Sequence, residues 1–293
     1  MQLRYALCWL ILFATGRVPG KGSKVSSTEV PSACPPVALE DLSFGYMHGQ
    51  AVISHVSACL EPGRLCAMIG PNAAGKSTLL RLILGQLRPC SGRVRLCGAE
   101  VTTLSPRCRA VWVSYVPQQG AVGFAFTVEQ VVAMGRFALP PTGSVVERVL
   151  VFCDLSGLRH RVFSELSVGQ QQRVTLARAM AQSYGGGKVM LLDEPVSAMD
   201  LWHVHTTMRR LVELRSQGQA VLAVLHDLNL AARYADDVWL LHEGALAASG
   251  PWQQVLRPEV LEPVYGVSLQ TVAAQSGDRP LFIVDPEDTM SLD

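Results

Sequence analysis

Nine consecutive residues, Gly70-Pro71-Asn72-Ala73-Ala74-Gly75-Lys76-Ser77-Thr78, carry glycine, lysine and hydroxyl at the spacing GxxxxGK[ST] that holds a nucleotide triphosphate. Glycines at the fixed positions let backbone N–H groups close on phosphate oxygens. A helix starting there adds roughly half an elementary positive charge. Lys76 supplies a full positive charge, Ser77 is placed to set its hydroxyl on Mg²⁺, and Thr78 caps or packs. A second chemical feature lies downstream. Val189-Met190-Leu191-Leu192 runs straight into the carboxylates Asp193 and Glu194, the pattern of a buried parallel strand with acids emerging at its C-terminal edge. A nucleotide triphosphate with Mg²⁺ is the implied ligand, although a phosphate loop alone does not separate kinases, GTPases, motors and transporters.

The elements that must position these groups are legible around them. Leu65–Ile69 is a short apolar strand before the loop, and Leu79, Leu80, Leu82, Ile83 and Leu84 continue behind it as a helix apolar on nearly every side. Upstream, Val37–Phe44 and Val52–Leu60 read as strands around Gly45-Tyr46-Met47-His48-Gly49, with Tyr46 at the end of the first. Tyr46 could pack or could stack on an adenine face. After a break at Arg88 to Gly92, Arg93–Leu96 alternates as a half-buried strand of an antiparallel accessory sheet, and Val111–Val116 reads as a further strand closed by Pro117-Gln118-Gln119-Gly120.

Between Gln119 and Glu165 the texture turns helical: Thr127 and Gln130 have capping-box spacing, and Val145–Cys153 has helical spacing. Ser167 and Gln170 begin another box, opening a helix through Met180. Helices near Leu201–Ser216 and Leu228–Tyr234 then alternate with strands Ala220–Leu225 and Val238–Leu241. Such alternation predicts an α/β fold with a mainly parallel sheet and right-handed crossovers. Gly244–Gly250 and then Trp252–Val267 read as a final hairpin and helices.

The composition supports this picture. The chain has 293 residues, 49% apolar and 17% charged, enough for a substantial core. A net charge of +1 argues against a general affinity for nucleic acid. The eight cysteines include no CxxC pair and sit mostly in apolar runs, so they read as reduced core residues. Residues 1–16 imitate a signal peptide, with Arg4, an apolar run from Tyr5 to Ala14, and then Thr15-Gly16. Export would remove an ATPase from its ATP, and the run falls short of the ~20 residues a bilayer span needs. The expectation is therefore a translation start near Val18, Val25 or Val30, tested by the intact mass of the native protein. Residues 17–36 have linker composition.

Over roughly residues 37–266 the chain resembles the nucleotide-binding subunit of an ABC transporter. Tyr46 matches the family's adenine-stacking aromatic, Gln118 in Tyr115-Val116-Pro117-Gln118 its Q-loop, and Leu166-Ser167-Val168-Gly169-Gln170 its signature LSGGQ. Asp193 and Glu194 match the Walker B end, Ser197-Ala198-Met199-Asp200 the D-loop and His226 the switch histidine. The resemblance implies a P-loop NTPase of the ABC ATPase kind: a parallel core sheet, an antiparallel accessory sheet and an inserted helical lobe at about 119–165. Residues 1–36 precede the domain at 37–267, and 268–293 form a variable tail.

Phosphoryl-transfer chemistry gives the matched residues expected roles. Asp193, with Ser77 and Gln118, would hold Mg²⁺. Glu194 would be general base for the attacking water, His226 would contact the γ-phosphate or that water, and Lys76 would supply its positive charge to the phosphates. Ser167, Gly169 and Gln170 would act on the nucleotide of a second subunit, with Asp200 in the D-loop, implying a homodimer that sandwiches two ATP. Val168 stands where the family has glycine, and a β-branched residue there would resist φ > 0 or a very close backbone approach.

No segment after residue 16 can span a membrane, so the resemblance makes this subunit the motor, working peripherally on the cytoplasmic face of the inner membrane with separate permease chains and, indirectly, a substrate-binding protein. Phe124 to Arg136 and Leu225 to Asp236 resemble importers of iron chelates, haem and cobalamin, with haem-import motors nearest. The rivals are a soluble ABC ATPase without a permease and a P-loop kinase or GTPase. Repair ATPases insert long coiled coils and ribosomal ones carry two cassettes, while a kinase has no use for LSVGQ. His203 and His205, two apart on a helix, point to different faces and make no tetrahedral metal set.

Overall fold

Alternating burial builds the first sheet. In β1 (Val37–Phe44), Val37, Leu39, Leu42 and Phe44 are buried, and in β2 (Ile53–Leu60) Ile53, Val56 and Leu60 face the same core. The structure, a computed structural model, describes residues 34–46, 50–118, 120, 123–140, 142–273 and 279–289. The leader and most of the linker expected at 1–36 lie outside the described residues, as do Met47, His48, Gly49 and Gln119. β3 (Leu65–Ile69) is buried throughout, and α1 (Lys76–Ile83) follows the loop it feeds. β4 (Ser91–Leu96) and β5 (Ala99–Glu100) complete an antiparallel sheet of order β2-β1-β4-β5.

The strand expected from Val111 starts two residues later. Ser105 accepts a hydrogen bond from the Cys108 N–H and Pro106 sits in the first turn, so α2 (Pro106–Trp112) takes up Val111 and Trp112 before β6 (Val113–Val116). The lobe helices α3 (Val128–Met134) and α4 (Gly143–Phe152) come next, α3 opened by the Thr127–Gln130 capping box. The long α5 (Val168–Ser183) opens with the Ser167–Gln170 box. β7 (Val189–Asp193), α6 (Leu201–Ser216), β8 (Ala220–Val224), α7 (Leu228–Tyr234) and β9 (Asp237–His242) then alternate.

The second sheet has the order β10-β9-β3-β8-β7-β6, where β10 is Ala245–Pro251. All its pairs from β9 to β6 are parallel, and β10 joins β9 antiparallel. Its strands send alternate residues to two cores. Leu65, Ala67 and Ile69 face the helices, while Cys66 and Met68 face α1 and the antiparallel sheet. Burial on both faces explains why these strands read as unbroken apolar runs.

Short helices α8 (Trp252–Val255) and α9 (Pro258–Tyr265) follow. The segment beyond 267, read from sequence as a variable tail, forms a hairpin of β11 (Val267–Ala273) and β12 (Pro280–Thr289). Leu269 and Phe282 bury its inner face, and Asn229 of α7 clamps it by donating to the Phe282 carbonyl at 3.2 Å and accepting from its N–H at 2.7 Å. The cysteines divide: Cys66, Cys97 and Cys153 are core residues as expected, whereas Cys59 and Cys90 are exposed, because they fall on the outward phase of β2 and in a turn. Among the described residues no helix is long and apolar enough to cross a membrane.

Candidate active site

Parallel pairing in the order β3-β8-β7-β6 brings the loops after these strands to one sheet edge. Those loops carry Gly70, His226, Glu194 and Gln118, so the topology alone assembles residues up to 156 positions apart in sequence. The loop between β3 and α1 needs its glycines. Gly70 has φ 144°, and a Cβ there would lie 2.0 Å from the Leu241 carbonyl oxygen. Gly75, at φ 100°, would drive a Cβ within 2.9 Å of the Val52 carbonyl. Ala73 accepts a left-handed φ of 62° between them.

Lys76 is buried, and its Nζ donates to the loop's own carbonyls, Gly70 O at 2.8 Å and Pro71 O at 2.7 Å. Burial lowers its pKa, opposed by the charges of Glu194 and Asp193. Ser77 Oγ donates to Asp193 Oδ1 at 3.2 Å. Asp193 is buried too, and desolvation, with the neighbouring Glu194 charge, raises its pKa despite the Ser77 bond. A hydroxyl and a carboxylate converging beneath a lysine are a hard-oxygen donor set that suits Mg²⁺.

Glu194 is the residue around which the rest converge. Its backbone is left-handed, φ 51°, a conformation costing a non-glycine residue about 1 kcal/mol or more. The turn swings its carboxylate away from Asp193 and between two partners: Gln118 Nε2 donates to Oε2 at 2.9 Å, and His226 Nε2 lies 2.6 Å from Oε1. A cavity of about 310 Å³ is lined by Val52, by Asn72, Ala73 and Gly75 to Thr78 of the loop, and by Glu194 and His226. Tyr46, at the cavity's approach, is exposed, stands edge-on to Phe44 with ring centroids 4.9 Å apart, and its hydroxyl is 3.3 Å from Thr78 Oγ1. Thr78 is buried, in keeping with a packing role.

The signature residues are not in this cavity. Ser167 caps α5 and is exposed, and Gly169 abuts the D-loop: a Cβ there would sit 2.9 Å from Ala198 O. Val168 has no positive φ. It occupies the first turn of α5 with its side chain 68% exposed, so glycine is not required there by backbone conformation. Asp200 caps α6, accepting from the His203 N–H at 2.9 Å and holding His203 Nδ1 at 2.8 Å. His205 turns instead to the Tyr234 hydroxyl at 2.8 Å, so the two histidines have separate partners.

Two contributors escaped the sequence reading. Gln172 is buried and donates to the Glu194 carbonyl oxygen at 2.7 Å. No helical phase marks it, since α5 is buried on nearly every side from Arg173 to Ala177, and the sequence carries no signal for it. Leu281, from the hairpin, shares a cavity of about 610 Å³ with Glu194, Met199 and His226, and nothing in its local sequence announces that.

A phosphate loop between a buried strand and helix, acids at the end of the neighbouring strand, a histidine one strand over and a capped signature helix define a P-loop ATPase of the ABC cassette class. The ABC transporter family profile matches residues 53–197. The hemin import ATP-binding protein HmuV of Pseudomonas entomophila (strain L48) is 41% identical over 240 residues, covering 79% of this chain and 93% of its own. The HmuV of Pseudomonas fluorescens (strain Pf0-1) is 42% identical, covering 80% and 94%. An inward-facing metal-chelate type ABC transporter superposes with TM-score 0.72 at 28% identity, covering 86% of this chain and 98% of that one. The chain belongs to the ABC transporter ATP-binding family and is an ATPase of that type.

Proposed function

We propose that this ATPase is the motor of an importer for a metal chelate, with haem the foremost cargo and ferric siderophore or cobalamin the alternatives within the same class. The observation that carries the mechanism is the Glu194 carboxylate held between Gln118 at 2.9 Å and His226 at 2.6 Å, in a cavity it shares with Lys76 and His226. A carboxylate so aimed can take the proton of an attacking water, while His226 fixes its rotamer and reaches the γ-phosphate. Lys76 and the loop N–H groups hold the phosphates. Ser77 and Asp193, with Gln118 above them, would hold Mg²⁺, which when bound offsets charge on the transferring phosphoryl group. Tyr46 is exposed beside the loop, where its ring can stack on adenine.

The exposure of Ser167 and Val168 outside the chain's own cavity supports action in trans: Ser167, Gly169 and Gln170 complete the nucleotide site of a second copy, with Asp200 near the joint. The working unit is then a homodimer sandwiching ATP, seated peripherally on permease subunits at the cytoplasmic face of the membrane. The cargo reading rests on the hemin-import relatives and on the likeness to a metal-chelate transporter.

The test is ATP hydrolysis by the wild type and Glu194→Gln, with gel filtration in ATP, alone and with the permease. Loss of hydrolysis by about 100-fold or more, with an ATP-trapped dimer, is expected. An unchanged rate or a strict monomer in ATP would overturn the mechanism. Uptake of hemin, ferric siderophore and cobalamin by the permease complex in sealed vesicles then ranks the cargoes.

A further inference from the structure

Gln172 spends its side-chain amide on two elements at once. It lies five residues into the helix that the signature motif opens, is 7% exposed, and donates through Nε2 to the Glu194 carbonyl oxygen at 2.7 Å. Its Oε1 accepts from the Ala198 N–H in the D-loop at 3.3 Å. The carbonyl it holds belongs to the peptide whose left-handed φ of 51° aims the Glu194 side chain. Ser197 Oγ also donates to that oxygen at 3.3 Å, but from the same short turn, so it moves with Glu194. Gln172 is the longer tie, running from α5.

One turn earlier on α5, Gly169 packs against Ala198 O so closely that a Cβ would come within 2.9 Å. The signature turn, the D-loop and the Glu194 peptide are thus joined through one buried amide. We infer that Gln172 is a positioning residue for ATP hydrolysis: it fixes the Glu194 backbone and passes displacement of the signature helix to the carboxylate that serves the chain's own nucleotide. The inference rests on the reading of Glu194 as base. Because the signature turn faces a partner's nucleotide in that reading, Gln172 links the occupancy of one site to the readiness of the other. Gln170 and Gln171 do not do this. Gln170 closes the capping box, and Gln171 donates to the Phe163 and Leu166 carbonyls within its own lobe.

Gln172→Glu is the incisive variant. It keeps the shape and the acceptor for Ala198, but an ionised carboxylate cannot donate to the Glu194 carbonyl. The expected result in the full-length dimer is a kcat lowered about tenfold, about 1.4 kcal/mol, with KM for ATP within about twofold, because the loop residues that bind nucleotide are untouched. In the Glu194→Gln background the same change costs nothing further, since its effect runs through Glu194. Gln172→Met, of similar volume and without either bond, is read in the same way should the first variant fold poorly. A kcat within twofold of wild type, a KM that rises in step with the loss, or an equal further loss in the Glu194→Gln background would overturn the positioning role. If Glu194→Gln itself hydrolyses ATP normally, the base assignment fails instead, and the two failures are told apart.

Discussion

Asp193→Asn should stabilise the nucleotide-free protein and weaken the nucleotide-bound one. Asp193 ends β7 with 5% of its surface exposed and one hydrogen bond, from Ser77 at 3.2 Å. Burial foremost, and then the adjoining Glu194 charge, push its pKa above the ordinary aspartate value, while Ser77, Arg81 and Lys76 pull it down. The folded pKa therefore lies above the unfolded one. The stability linked to this group is greatest at low pH and is lost as pH rises through the folded pKa, because the folded chain must then hold a carboxylate that unfolding would release to water.

Asparagine keeps the shape and an acceptor for Ser77 but carries no charge. Imperfectly compensated buried polar groups cost about 1–3 kcal/mol. The lower end, about 1 kcal/mol, raises the melting midpoint by about 2–4 °C in a domain of this size. Nucleotide should reverse the order: a ligand at a hundred times its Kd stabilises the fold by about 2.7 kcal/mol, and a variant lacking the carboxylate proposed to hold Mg²⁺ should forfeit most of that. Thermal melts of both proteins at mildly alkaline pH, with and without Mg²⁺ and a non-hydrolysable ATP analogue, should show crossing midpoints. A lower midpoint for Asp193→Asn without nucleotide would refute the argument, showing that Ser77 and the nearby cations more than compensate the buried charge.

Val168→Gly should leave the melting midpoint within the equivalent of about 1 kcal/mol, since the residue is exposed in the first turn of α5. Its ATPase rate should stay within about threefold, and a larger change would show that the valine side chain meets the partner's nucleotide. Asn229→Ala removes both hydrogen bonds to the Phe282 backbone and should cost about 1–3 kcal/mol. Thermal melting and limited proteolysis would report this as a lower midpoint and faster cleavage beyond residue 267; an unchanged midpoint would mean the hairpin docks through Leu269 and Phe282 alone.

What the sequence disclosed was whatever local spacing encodes. The phosphate loop, the Thr127 and Ser167 capping boxes and the four-residue apolar runs of the parallel sheet each depend on residues a few positions apart, and all of them form. The start of β6 went astray because Val111 and Trp112 are as apolar as a strand demands, while the Ser105 cap and Pro106 just upstream decide for helix. The tail misled for the converse reason. Its strands bury mainly Leu269 and Phe282, and it is tied down by Asn229, by Glu262, which accepts from the Leu269 N–H, and through its own Arg279, which donates to the Ala232 and Ala235 carbonyls. Contacts of that range leave no period in the sequence.

The site shows the same division at finer grain. Glu194 and His226 were identifiable as chemistry-bearing residues, but their 2.6 Å contact follows from the parallel pairing of β7 with β8, which no spacing states. Gln172 sits in a run of three glutamines whose members look alike, and each has a different duty: one closes the cap, one holds its own lobe, and one grips the Glu194 peptide. Helical phase does not separate them, because the face through Val174, Ala177 and Ala181 that Gln170 begins is as buried as the one through Leu176 and Ala179 that Gln172 begins. A buried polar residue has to find partners to offset its desolvation, and Gln172 finds them in the Ala198 N–H and in the carbonyl of Glu194, the carboxylate proposed as the base.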